Sequence, residues 1–146
     1  MLRKITATTN DFTYTIVRLI LGIVFFMHGA QLVLGWFGGY GFAGSMHMFE
    51  HGMGIPAPLA ALAILAQFLG GIGLILGLFS RIAAIGIGID MLVAIFMFHI
   101  HVGFFMNWFG MQKGEGFEYH LLALACCLVI LVKGSGAASI DRALPA

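Results

Sequence analysis

Nine polar side chains lie within or at the rims of long apolar stretches, and these residues could do chemistry. Within the stretches they are Arg18, His28, Gln31, Gln67, Asp90 and His99, and at the rims they are His101, Glu118 and His120. Imidazole and carboxylate groups can exchange protons, and amides donate and accept hydrogen bonds. A polar group in hydrocarbon is costly without a partner, so each of these residues marks a candidate site.

The depth of each side chain follows from the helical rise per residue. Measured from the outer ends of the stretches, Gln67 lies roughly 13 Å deep and His28 roughly 9 Å. Gln31 and His99 are shallower, and Glu118 lies at the edge. We therefore expect these five residues to line one cavity in the outer half of the helix bundle. His28 and Glu118 would exchange protons there, and Gln31, Gln67 and His99 would bind the substrate or cofactor.

Arg18 and Asp90 belong to the opposite half of the bundle. They lie roughly 6 and 12 Å from the inner ends of their stretches, within reach of a long arginine side chain. We predict that they form an ion pair that holds the first and third helices together. A proton-relay role for Asp90 is the alternative.

Four apolar runs must position these side chains, at about 14–34, 59–79, 82–101 and 118–133. Hydrophobic residues make up 61% of the chain and charged residues only 9%, whereas a soluble domain carries about 25% charged residues. A membrane span needs about 20 helical residues. The fourth run is short, and Lys133 at its end can extend to the interface. None of the runs alternates apolar and polar residues as a barrel strand would.

The fold class predicted from these runs is all-α. We expect one domain over residues 1–146, a polytopic membrane protein built as a four-transmembrane-helix antiparallel bundle. Phe42 to Gly52 would form a short interfacial helix in the first outer loop, before Pro56 and Pro58 begin the second span. The connection from Phe79 to Ile82 is so short that the second and third helices must form a tight hairpin.

Basic residues predict the orientation in the membrane. Five of them fall on one side of the four runs: Arg3, Lys4, Arg81, Lys133 and Arg142. The loops on the other side hold only Lys113, together with aromatic residues that suit an outer membrane interface. The positive-inside rule then places both termini in the cytoplasm. A net charge of +1 gives no sign of a nucleic-acid partner.

Several motifs resemble the DoxX family of small bacterial membrane proteins, and together they cover most of the chain. They are Arg18-Leu19 with Phe25-Phe26-Met27-His28-Gly29-Ala30-Gln31, the loop Gly41-Phe42-Ala43-Gly44 to Gly54-Ile55-Pro56-Ala57-Pro58, Gln67-Phe68-Leu69-Gly70-Gly71 to Phe79-Ser80-Arg81, Met91-Leu92-Val93-Ala94-Ile95 with His99 and Gly103-Phe104-Phe105, Phe117-Glu118-Tyr119, and Ser139-Ile140-Asp141. The resemblance implies a four-helix inner-membrane protein. The family's name comes from a subunit of a terminal quinol oxidase and thiosulfate:quinone oxidoreductase system, and other members are linked to redox-stress complexes. Many relatives carry Glu where this chain has Gln67.

The first functional interpretation is a quinone-linked redox subunit. A quinone headgroup needs hydrogen-bond partners for two carbonyls and a group that exchanges protons, and its tail needs an apolar cleft. The five residues of the predicted cavity would supply the polar partners. The chain has no C-x-x-C-H and no dinucleotide motif, so electrons would have to come from a partner redox protein.

A second interpretation is haem or metal binding. His28 and His99 come from different helices at similar depth, as two axial ligands of haem b would. His47-x-x-Glu50-His51 matches the H-x-x-E-H pattern of some zinc proteases. However, that string is short, and the sequence offers no third ligand, so we interpret it as a chance match and predict no metal site.

A third interpretation is a structural or assembly subunit. Polar side chains inside a membrane bundle can simply bond to one another, each such contact contributing about 0.6 kcal/mol. A shared, open cleft would favour the quinone interpretation, and a closed, mutually bonded cluster would favour the scaffold. A homo-oligomer is the alternative to a redox partner. Cys126 and Cys127 are adjacent in one helix, so their side chains diverge and we expect no disulfide between them.

Overall fold

A computed structural model describes residues 2–144, and its regular structure is helical throughout that range. The α-helices are α1 (Leu2–Thr6), α2 (Phe12–Leu34), α3 (Gly41–His47), α4 (Ala57–Leu76), α5 (Ser80–Ala94), α6 (Glu118–Lys133) and α7 (Ile140–Ala143). A short 3₁₀ turn covers Trp36–Gly38, and wider π-helical turns extend α3 over Met48–Gly52 and α5 over Ile95–His99. The described part of the chain is therefore all-α, as predicted.

Local sequence explains where the long helices begin and end. The Asp11 carboxylate accepts a hydrogen bond from the amide of Thr13 at 2.8 Å and caps the start of α2. Gly35 and Gly77 end α2 and α4 with φ angles of 70° and 68°, in the left-handed region that glycine enters without strain. The helix α4, which is the second predicted span, therefore ends at Leu76, three residues before the predicted Phe79. The helix α5 begins at Ser80.

The helices α2, α4, α5 and α6 form a four-membered ring in which each packs against the next and α6 returns to α2. The closest approach is between α2 and α4. A Cβ atom added to Gly29 would lie 2.4 Å from the Cα of Phe68, and one added to Gly71 would lie 2.4 Å from the amide nitrogen of Phe26. The two backbones therefore touch, which only glycine permits at these positions.

Within the described residues, three helices are long and apolar enough to cross a membrane. They cover Phe12–Leu34, Ala57–Leu76 and Ser80–His99. The fourth, α6, has 16 residues, so its crossing of the bilayer stays a prediction. Large apolar side chains such as Ile20, Leu62 and Ile89 face outward with more than half of their surface exposed, as lipid-facing residues do.

The first long connection contains the predicted helix. The chain is helical from Gly41 to His47 and continues as the π-helical turn to Gly52. Phe49 on this segment is buried against Ala60 and Ile64 of α4. The location of the segment at a membrane interface remains a prediction.

Candidate functional site

A polar link joins α4 to α5 inside the bundle. The amide of Gln67 lies within hydrogen-bonding reach of the Asp90 carboxylate. The second carboxylate oxygen of Asp90, Oδ2, is buried and has no hydrogen-bond partner among the described residues. Because Gly29 packs directly on the backbone of Gln67 and Phe68, this link lies at the level of His28 in α2.

A row of aromatic and imidazole rings runs across the remaining helices. His28 of α2 stacks against Tyr119 of α6 with ring centroids 6.3 Å apart. The next residue, His120, lies 4.1 Å from the ring of His99, which belongs to the turn that extends α5. The Tyr119 hydroxyl and Nδ1 of His120 are buried and unpartnered within residues 2–144. We call Gln67, Asp90, His28, Tyr119, His120 and His99 the polar cluster.

The polar cluster contains three of the five residues predicted to share a cavity: His28, Gln67 and His99. His28 is exposed at the bundle surface and His99 is half-buried. Nδ1 of His99 lies 2.7 Å from the carbonyl oxygen of Glu115, which orients the ring. Asp90, which we assigned to the inner half with Arg18, instead belongs to this cluster through Gln67.

Gln31 and Glu118 make their contacts elsewhere. The Gln31 amide donates a 3.4 Å hydrogen bond to the carbonyl of Phe37, in the turn that follows α2. Glu118 accepts hydrogen bonds from the amide of Met106 at 2.9 Å and from the indole of Trp108 at 2.8 Å. Because Glu118 is the first residue of α6, its side chain reaches the preceding loop and anchors it. The structure thus gives no support to its placement in a shared cavity.

Tyr119 was not among the candidate residues, and His120 was expected only at the rim of the fourth apolar run. In the structure α6 begins at Glu118, where the predicted run also begins, and His120 is buried in its first turn with 6% of its surface exposed. Position along the run does not specify which way a side chain in the first turn points, so no local signal marked these two residues as buried.

Arg18 has different partners from the predicted one, and its ion pair with Asp90 is not formed. The side chain is 1% exposed. Its Nε donates to the carbonyl of Ser135 at 2.8 Å, and its Nη atoms donate to the carbonyls of Leu74, Ile75 and Ala138. The last four carbonyls of a helix lack partners within the helix, and the end of α4 offers two of them to Arg18.

Asp141 supplies the negative charge near Arg18. Its carboxylate accepts hydrogen bonds from the amides of Phe79 at 2.7 Å and Ser80 at 3.1 Å, and so caps the N-terminus of α5 from a distant part of the chain. The Ser135 hydroxyl contacts both Asp141 and the Ser80 hydroxyl. We call Arg18, Ser80, Ser135 and Asp141 the terminal network, because it joins the C-terminal segment to α2, α4 and α5.

A metal ion needs a set of ligand side chains that lie close together. Between residues 2 and 144, no group of three or more His, Cys, Asp or Glu side chains could hold a metal ion. His47 and His51 of the H-x-x-E-H string lie side by side on an exposed surface. The rings of His28 and His99 pack against Tyr119 and His120, respectively. These contacts do not support the interpretation of the two histidines as ligands of one haem.

A ring of apolar helices with a polar cluster across it defines a multi-pass helical membrane protein. The chain belongs to the DoxX family, which matches residues 13–100. It is 29% identical over 135 residues to the inner membrane protein YqjF of Escherichia coli (strain K12), an alignment that covers 92% of this chain and 94% of that protein. No solved structure matches the chain.

Proposed function

We propose that this protein is an inner-membrane subunit of a quinone-linked oxidoreductase or redox-stress complex, and that its polar cluster binds the quinone headgroup. One observation carries the proposal. The buried atoms Asp90 Oδ2, Tyr119 OH and His120 Nδ1 have no hydrogen-bond partner among the described residues. Polar groups left unpartnered inside a membrane protein are costly, and an ionisable residue within a span is by default a candidate functional site.

The donors and acceptors of the cluster suit a quinone. The two carbonyl oxygens of a quinone accept hydrogen bonds. The Tyr119 hydroxyl and a protonated His120 nitrogen would donate them. When bound, the quinone would accept two electrons and two protons. Asp90 and His28 carry the carboxyl and imidazole groups of the cluster that would exchange protons with the headgroup. Glu118, which also carries a carboxylate, keeps its predicted proton-exchanging role only as an expectation.

Electrons would come from a partner redox protein, since the sequence contains no motif for a carrier of its own. The scaffold alternative is supported by a specific observation as well. Gln67 with Asp90, His99 with the Glu115 carbonyl, and Glu118 with Trp108 are mutually bonded pairs that could serve cohesion alone. The two functions differ in what they predict for the unpartnered atoms.

Tyr119→Phe separates the two functions. The variant removes only a hydroxyl, so a quinone site should lose about tenfold in affinity, the equivalent of one hydrogen bond of about 1.4 kcal/mol. We would measure the thermal shift of the purified protein in lipid nanodiscs on titration with decylubiquinone. Saturating ligand at about 100 times Kd should stabilise the unmodified protein by about 2.7 kcal/mol.

Tyr14→Phe is the matched control, because Tyr14 lies near the start of α2, away from the polar cluster. It should keep the full response to decylubiquinone. Without ligand, Tyr119→Phe should melt at or above the temperature of the unmodified protein, since no hydrogen bond within the protein is lost. An unchanged ligand response in Tyr119→Phe, or no response of the unmodified protein, would leave the scaffold function.

Both termini are expected in the cytoplasm, because five basic residues lie on that side and one on the other. Alkaline phosphatase, which is active only outside the cytoplasm, should be active when fused after Gly54 and inactive when fused after Ala146. Green fluorescent protein at the same two positions should give the opposite pattern. An active phosphatase at the C-terminus would refute this topology.

A further inference from the structure

We propose that His47 and His51 form a copper-binding site at the end of α3, separate from the polar cluster and independent of the quinone proposal. The two imidazole rings lie with their centroids 4.7 Å apart and an interplanar angle of 52°. Two imidazoles that share one ion, each with a metal–nitrogen distance of about 2.0 Å, have ring centres about 5 Å apart. The observed separation of the ring centroids is close to that value.

The local backbone brings the two rings together. His47 is the last residue of α3 and His51 lies four residues later in the π-helical turn, so both side chains project from one face. The amide of Met48 donates to the carbonyls of both Gly44 and Ser45, which joins the helix to the wider turn without a break. Such π-helical turns occur often at functional sites.

A shallow, open pocket surrounds the pair. Its lining residues are Tyr40, Gly44, His47, Met48, His51 and Gly52. Neither imidazole is among the described side chains that hydrogen bond within the protein, and both are exposed. A bound ion would therefore displace only water from the two nitrogens, and water would complete its coordination.

Copper is the ion that this donor set favours. For a given nitrogen site, affinity among divalent first-row metals is highest for Cu²⁺. The thioether of Met48 lines the same pocket but does not decide between copper and zinc, so the choice of metal rests on the two nitrogen donors. Glu50 lies between the two histidines in sequence but does not line the pocket, so the zinc-protease interpretation of the string has no structural support.

The proposal is tested by titrating the purified protein in detergent with Cu²⁺ and following the electron paramagnetic resonance spectrum. We expect one ion per chain with hyperfine coupling to two nitrogens. His47→Ala and His51→Ala should each weaken binding by at least about tenfold, since changes to groups that merely support a ligand already cost about 10- to 100-fold. Because both side chains are exposed, circular dichroism should show an unchanged fold.

His101→Ala is the control, because His101 is also exposed but lies in the loop after α5. It should bind Cu²⁺ as the unmodified protein does, and an equal concentration of Zn²⁺ should not displace the copper. Equal affinity in the His47→Ala/His51→Ala double variant would overturn the proposal. Preferential retention of zinc would overturn the choice of metal.

Discussion

Arg18→Met is expected to lower the free energy of unfolding by about 3 kcal/mol, because removing one partner from a buried charged network has a cost of this size. The substitution introduces an apolar side chain of similar length and leaves the carbonyls of Ser135 and Ala138 without their donor. It also removes the positive charge near Asp141. Thermal unfolding in detergent, followed by circular dichroism, would measure the loss.

A double-mutant cycle identifies the partner of Arg18. Arg18→Met combined with Asp141→Asn should show a coupling of about 1 kcal/mol or more, because both side chains belong to the terminal network. Arg18→Met combined with Asp90→Asn is the matched comparison. Those two changes should add to within about 0.5 kcal/mol, as independent sites do. The reverse pattern would restore the ion pair that the sequence suggested.

Gly29→Ala is expected to destabilise the bundle by about 2 kcal/mol, within the range for overpacking a tight core. The new methyl group would lie 2.4 Å from the Cα and 2.5 Å from the amide nitrogen of Phe68. Neither is a side-chain atom that could rotate away, so α2 and α4 would have to separate. Their separation would also disturb Gln67, which gives a second readout in the decylubiquinone response.

Gly88→Ala is the matched control for this prediction. Gly88 also lies within a helix, but a Cβ atom there would meet only the Cβ of Cys127 at an ordinary 3.9 Å. Replacing glycine by alanine inside a helix favours the helix by about 1 kcal/mol, so this variant should be neutral or more stable. If both variants unfolded at the same temperature, close contact between α2 and α4 would not contribute to stability.

Much of the fold was predictable because its signal is local. Long uncharged runs must be helical in a membrane, since only a helix or a closed barrel satisfies the backbone there. The predicted boundaries differ from the observed ones by a few residues at turns. Gly77 ends α4 by adopting a left-handed conformation, and Asp141, distant in sequence, caps α5 at Ser80. No local pattern contains the second of these contacts.

The candidate site is only partly accessible to sequence reasoning. Depth along each helix predicts a similar level for His28, Gln67 and His99, because the helical rise is constant and the helices are antiparallel, and their sharing of one cavity stays a prediction. Depth does not specify rotation about the helix axis or the direction of a side chain at a helix end. For that reason Glu118, in the first turn of α6, was assigned to the cavity although it bonds to Trp108. Tyr119 was missed, and His120 was placed only at the rim.

By itself, the sequence determined that this protein is helical, apolar and a member of a membrane family, because these properties follow from composition, run length and motifs within single stretches. The partners of its buried polar groups were decided only by the tertiary structure. Arg18 is bonded to the C-terminal segment, and Asp90 lies beside Gln67. The physical reason is that such partners depend on helix rotation, on glycine contacts that bring backbones together, and on how the C-terminal segment folds back over the bundle.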